Sequence, residues 1–210
     1  MGFRPAGHPR SLPAMHRNVE IELKWALTQP AYAALGERLG VFLGAPAVLG
    51  QENRFFDTAD RRLRAAFLNV RLRRENQRVI LTCKQRRGEQ RAGLSDHHEW
   101  ECELPGDTRR PPLERLPLVV QEALAGESLV DLGGFANHRL DWLHDEDGRH
   151  EHLSLDATTF ADRIDYELEI ETDQPEPSHQ AWAARLGAWG IPWQPQPKTK
   201  FARFLATQGR

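Results

Sequence analysis

The chain has 210 residues, 40% hydrophobic and 28% charged, enough to bury a real core in one large domain or two small ones. Lys plus Arg number 28 against 30 Asp plus Glu, and a net charge of -2 provides no global field of the kind that binds nucleic acid or membranes, so neither is expected as a partner. No run approaches the roughly 18 apolar residues of a membrane helix, and no continuous apolar stretch marks a secretory signal. Cys83 and Cys102 read as reduced, buried thiols of a cytoplasmic protein.

Residues 1–17 hold three prolines and no periodicity, which reads as a disordered leader, with Met15 a candidate for the true start. Residues 18–207 read as a single domain. Its first strand, about Asn18 to Ala26, alternates with a period of two: Glu20, Glu22 and Lys24 on one face, Val19, Ile21, Leu23 and Trp25 on the other. Taken alone, that is equally an amphipathic surface strand. Thr28 and Pro30 then open a helix that Gly40 is expected to stop.

A strand near Glu52 to Asp57 and another from Leu68 to Glu75 follow, the latter with Asn69, Arg71 and Arg73 sharing a face. Asn76-Gln77 is a tight connection into Arg78 to Arg86, where Thr82 and Lys84 oppose Val79, Leu81 and Cys83. The stretch from Asp96 to Leu104 places Glu99, Glu101 and Glu103 against His98, Trp100 and Cys102. Pro111 to Ala125 reads as a helix that Pro117 should kink or curtail. Strands around Arg139 and Asp156 flank Asp147-Gly148, a hairpin turn. Glu167, Glu169 and Glu171 then share a face in the last strand, and a helix runs from about His179 to Trp189, with Trp182 and Trp189 on one side.

Eight strands with hairpin-length links and about three helices give an α+β, mainly β fold: an antiparallel eight-stranded β-barrel. If the apolar faces pack outward under helices, the charged faces line a tunnel. So many buried charges require pairing, hydration or a ligand. A lattice of salt bridges would satisfy them. A polyanion with a divalent metal suits the pattern better, since Arg and Lys match phosphate oxygens and clustered carboxylates are hard ligands for Mg²⁺ or Mn²⁺.

The segments Glu20-Ile21-Glu22-Leu23-Lys24, Phe55-Phe56-Asp57-Thr58, Val70-Arg71-Leu72-Arg73, Leu81-Thr82-Cys83-Lys84, His98 to Glu103, Tyr166 to Glu171 and Lys198 to Phe204 occur in the order of the CYTH domain, the core of the triphosphate tunnel metalloenzymes. The chain resembles that family over residues 18–205. The resemblance implies metal-dependent hydrolysis of a triphosphate. Inorganic tripolyphosphate leads, because Asn69 stands where an aromatic could have stacked on an organic group. Thiamine triphosphatase, nucleoside triphosphatase, class IV adenylate cyclase and a non-catalytic polyphosphate or nucleotide binder are the alternatives. It further implies that Lys24, Arg71, Arg73, Lys84, Arg139, Lys198 and Lys200 grip the triphosphate, with Lys198 and Lys200 competing for one role. Glu20, Glu22, Glu169 and Glu171 would hold Mg²⁺ or Mn²⁺, while Glu99, Glu101 and Asp156 would bind metal, water or neighbouring bases. Lys24, Glu22, Glu169 and Glu171 are the expected catalytic set. Oligomeric state stays open, a homodimer included.

Overall fold

In the computed structural model, which describes residues 15–88 and 91–208, the alternating stretches form one closed antiparallel barrel. Its strands are β1 (His16–Leu27), β2 (Ala47–Asp57), β3 (Leu68–Glu75), β4 (Arg78–Arg86), β5 (Leu94–Leu104), β6 (Val130–Glu146), β7 (Arg149–Thr159) and β8 (Ile164–Glu171). Around the barrel they run β1-β5-β4-β3-β2-β6-β7-β8, and β8 pairs back onto β1. Most of the leader expected over 1–17 lies outside the described residues; His16 and Arg17 belong to β1.

Two-residue turns set two of the registers. Asn76, at φ 54°, joins β3 to β4, and Asp147 and Gly148, at φ 51° and 74°, join β6 to β7. The paired positive φ values at Asp147 and Gly148 match the twist of the flanking strands. Gly133 lies opposite Phe55 and Gly134 opposite Arg54, and the register of β6 shifts between Phe55 and Phe56, which meets Asp131. Gly133 takes φ 88°, and a Cβ on Gly134 would stand 1.6 Å from the Asn53 carbonyl oxygen.

Among the described residues, five α-helices rather than about three accompany the barrel: α1 (Gln29–Leu43), α2 (Arg62–Ala65), α3 (Leu118–Leu124), α4 (Pro175–Ala188) and α5 (Lys200–Thr207). The Thr28 hydroxyl caps α1, accepting from Ala31 N at 3.3 Å. Gly40 does not stop α1. The helix continues to Leu43, and Gly44, at φ 87°, donates its N–H to the Gly40 carbonyl. An interior glycine costs about 1 kcal/mol, which burial of Leu35 and Leu39 offsets at about 1.5–3 kcal/mol each. Pro117 separates a 3-10 turn (Leu113–Arg115) from α3, so the long helix expected there is broken. The carboxylate of Asp57 accepts from the backbone N–H groups of Thr58, Leu63 and Arg64, which makes this acid the organiser of the β2–α2 corner.

The apolar faces point outward, as the alternation requires if the charges are inside. Val70, Leu72, Leu81, Cys83 and Cys102 pack under α2 and α3 with Leu63, Val120 and Leu124. Leu23, Trp25, Leu153, Leu155, Leu168 and Ile170 pack with Leu35 and Leu39 of α1 and Trp182 and Leu186 of α4. A third cluster is aromatic: Phe204 of α5 packs on Phe55, Phe135 and Phe160, and Phe55 stacks on Phe201 at 4.6 Å. Helix α5 is thereby held against the barrel lining. Its signal is present in sequence, where Thr199 is an N-cap and Phe201 and Phe204 lie three apart.

Candidate active site

Barrel closure brings the charged rows together around a cavity of about 340 Å³. Its lining includes Glu20, Glu22 and Lys24 of β1, Asn69, Arg71 and Arg73 of β3, Lys84 of β4, Glu99 and Glu101 of β5, Arg139 of β6, Glu169 and Glu171 of β8, and Lys200 of α5. The amphipathic surface strand admitted for β1 alone is therefore not what forms: Glu20, Glu22 and Lys24 are buried in the tunnel, while Val19 is 48% exposed on the outside.

Register places opposite charges on facing strands. Lys24 lies opposite Glu169, Lys84 opposite Glu99 and Arg139 opposite Asp156. The Lys24 ammonium stands 2.5 Å from Glu22 Oε2 and donates to Glu169 Oε1. Burial alone would lower its pKa, but Glu169 and Glu22 hold it above the usual lysine range. Burial likewise works against ionised Glu22, yet Lys24 keeps this carboxyl at about 2.

Arg139 grips Asp156 with two parallel hydrogen bonds, Nε to Oδ1 at 2.8 Å and Nη2 to Oδ2 at 2.7 Å, and Nη2 also donates to Glu169 Oε2 at 2.9 Å. Asn137 donates to Asp156 Oδ1 as well. Lys200 Nζ lies 2.8 Å from Asp156, 2.9 Å from Glu169 and against Glu167. Asp156, fully buried, is thus surrounded by donors from its own chain and anchors Arg139 and Lys200. Of the two competing lysines, Lys200 enters the tunnel. Lys198 is exposed and lines an outer groove with Arg64 and Ala202, because it precedes the helix whose first residue, Lys200, turns inward.

Two surpluses remain. On the acidic wall, Glu22 lies directly opposite Glu171, a like-charge pair that destabilises a sheet unless a cation intervenes. Glu20, Glu22 and Glu99 lie around Lys84, which meets Glu20 directly and Glu99 at 3.3 Å. Burial and Glu22 nevertheless push the Glu20 carboxyl up to about 8, against the pull of Lys84. On the opposite wall, Arg71 donates to Thr82 and Arg73 to Asn53. Burial, with Arg71 and Arg139 nearby, lowers Arg73 to about 10. Several hard oxygen donors crowded on one wall fit a divalent cation. Asp156, Glu167 and Glu169 also present carboxylate oxygens within 4.8 Å of one another, but Lys200 already faces that trio.

Two histidines that the sequence pattern does not single out also belong to the site. His97 lines the cavity, and burial, with Lys84 nearby, lowers it to about 4. His152 also lines it, raised to about 9 by hydrogen bonding to Asp141 and Glu171. Both share the tunnel-facing parity of their strands, 97 with 99 and 101, and 152 with 156, which is the available signal. Glu167 accepts from Arg203 Nη2 at 2.6 Å, and Arg203 also donates to Asp165 at 2.9 Å, tying α5 to β8. Trp25, by contrast, is wholly buried on the outer face and offers nothing to the tunnel.

A closed antiparallel tunnel with an acidic wall facing a basic one defines a protein built to enclose a small, charged ligand. The chain matches the CYTH domain over residues 18–205 and belongs to that family. It is similar to YjbK of Bacillus subtilis (strain 168), named as a candidate triphosphatase, with 26% identity over 198 residues, 90% of this chain and 96% of the relative. It is also similar to the structure of HpAC1 from Hippeastrum, described as a candidate adenylyl cyclase with a dominant triphosphatase activity: 26% identity, TM-score 0.75, covering 90% of this chain and 96% of that one. A candidate adenylate cyclase structure from Bacillus halodurans, at 23% identity and TM-score 0.66 over 90% of this chain and 98% of its own, shares the fold. Among the described residues, no helix is long and apolar enough to cross a membrane.

Proposed function

We propose that this chain is a metal-dependent triphosphatase, and that inorganic tripolyphosphate is the smallest molecule that satisfies its tunnel. The observation that carries the reading is the division of charge. Glu22 faces Glu171 on one wall, with Lys24 and His152 as their nearest cations, while on the other Arg71 meets the neutral Thr82 and Arg73 meets Asn53, with Glu75 at 3.8 Å as its carboxylate partner. A linear triphosphate with a divalent cation answers both, whereas the ion pairs within the tunnel answer them only in part. The names of YjbK and HpAC1 support the same activity.

Arg71, Arg73, Arg139, Lys24, Lys84 and Lys200 would hold the non-bridging oxygens, fixing the chain of phosphates in one orientation. Water adds to the terminal phosphorus as its anhydride P–O bond breaks, giving orthophosphate and pyrophosphate. Negative charge gathers on the departing oxygen, and cations already in place stabilise it without reorganisation. Glu20, Glu22, Glu169 and Glu171, with Glu99 and Glu101 beside them, would hold Mg²⁺ or Mn²⁺. When bound, such an ion supplies Lewis acidity toward phosphate oxygens and water. Cys83 and Cys102 lie on the outer faces and take no part.

Phosphate release from tripolyphosphate with Mg²⁺ or Mn²⁺, set against a chelator, tests the reading. Glu169→Ala and Lys24→Ala should each lower kcat by about 10²-fold or more; full activity in both would refute the site. With ATP, orthophosphate release supports a triphosphatase, and cyclic AMP with pyrophosphate would identify a cyclase instead.

A further inference from the structure

An aromatic feature that triphosphate chemistry leaves unused lies just beyond the cavity-lining residues, where Arg86 pairs opposite His97. Asn69 and Lys84 face each other on β3 and β4, and both line the cavity. Beyond them, Arg86, the last residue of β4, donates its N–H at 3.1 Å to the carbonyl of Phe67, the residue that precedes β3. Two residues of strand span about 6.6 Å, so Phe67 and Arg86 stand roughly one sugar's reach beyond the phosphate-facing row. Phe67 is 58% exposed, and the Arg86 guanidinium lies 3.8 Å from its ring centroid.

A single exposed phenylalanine is ordinary on a protein surface. This one is held at φ 56°, a left-handed conformation that is unfavourable for a bulky side chain. Its ring is backed by a cation, and among the described residues Arg86 makes no ion pair. A rigid ring supported by an arginine is the arrangement on which nucleobases stack. Asn69, between ring and tunnel, offers an amide at the level where a ribose hydroxyl would pass.

We infer that Phe67, backed by Arg86, is a stacking platform for the planar ring of a nucleoside triphosphate whose phosphates lie in the tunnel. The inference rests on the triphosphatase reading and extends it, because the aromatic absent at Asn69 is supplied at the rim. The platform confers preference among triphosphates and takes no part in bond breaking.

The test compares ATP with tripolyphosphate on the full chain carrying Phe67→Gly, Phe67→Trp or neither. Glycine suits the left-handed backbone, so Phe67→Gly removes the ring without threatening the fold. It should lower kcat/KM for ATP about tenfold, mainly through KM, as loss of base stacking does, and leave tripolyphosphate within twofold. Phe67→Trp should restore ATP. An equal fall on both substrates, or unchanged ATP kinetics, would overturn the platform. Calorimetric binding reads the same contrast without turnover. If the wild type hydrolyses neither substrate, the triphosphatase reading fails, whereas selective loss of ATP binding in Phe67→Gly still supports the platform and equal binding of ATP refutes it.

Discussion

Replacing Glu20 by glutamine should stabilise the metal-free protein at alkaline pH while removing its activity. In the fold, burial and the nearby Glu22 push the Glu20 carboxyl from its ordinary 4.5 to about 8. The folded state therefore holds a proton that the unfolded chain has released, and stability falls as pH rises from about 4.5 through about 8. That interval, at about 1.4 kcal/mol per pH unit, sets a ceiling of about 5 kcal/mol. Half the ceiling corresponds to roughly 5–10 °C in Tm for a chain of this size. His152 declines in a similar direction: held at about 9, it contributes stability that is complete below its unfolded value and lost as pH rises through 9. The difference between the two proteins, rather than either curve alone, isolates Glu20. Thermal unfolding of wild type and Glu20→Gln in chelator, from pH 4 to 8.5, should show curves that coincide at the acid end and diverge steadily from about pH 5 to about 8, with the variant higher. Lys84 keeps Glu99 at 3.3 Å in the variant, so the substitution does not strand an ammonium. Parallel curves across the whole range would show that Glu20 is ionised in the metal-free fold, and the charge surplus on the acidic wall would have to be abandoned.

Lys200→Ala should lower kcat by roughly 10²–10³-fold, in the range of losing one preorganised donor, while Lys198→Ala stays within twofold; steady-state kinetics on tripolyphosphate decide, and equal effects would contradict the placement of the two lysines. Arg139→Lys keeps the charge but loses the two-pronged grip on Asp156, so kcat should fall about tenfold or more with the fold intact by circular dichroism. Gly134→Ala should destabilise by more than about 3 kcal/mol in urea unfolding, because its Cβ would enter the Asn53 carbonyl, which is backbone and cannot rotate away.

The strands were legible because a period of two survives any context, but the direction each charged face takes was not a local property. Glu20 and Glu22 read alone suit a solvent face; only the recurrence of charged rows on the other strands turns them inward. Helix α5 carried its own signals in Thr199, Phe201 and Phe204, and was overlooked because Lys198 and Lys200 read as an extended pair of ligands. His97 and His152 carry no charge pattern that distinguishes them from other histidines, although parity places each on a tunnel-facing row.

Register separates what could be derived from what could not. A two-residue turn at Asp147-Gly148 makes Glu146 face Arg149, and each step back along both strands pairs the next two residues until Arg139 meets Asp156. The same count from Asn76-Gln77 places Asn69 opposite Lys84 and, just past the end of β3, Phe67 beside Arg86. Both the Arg139 grip and the rim platform therefore follow from turns visible in the sequence. The contact between Lys24 and Glu169 joins residues 145 apart in sequence, across the seam where β8 meets β1. No turn connects those strands, and their register depends on how far the whole barrel shears as it closes. That seam also places Glu22 opposite Glu171. The charge arrangement that most strongly supports a metal is thus set by closure of the complete barrel, the step for which local sequence carries the least information.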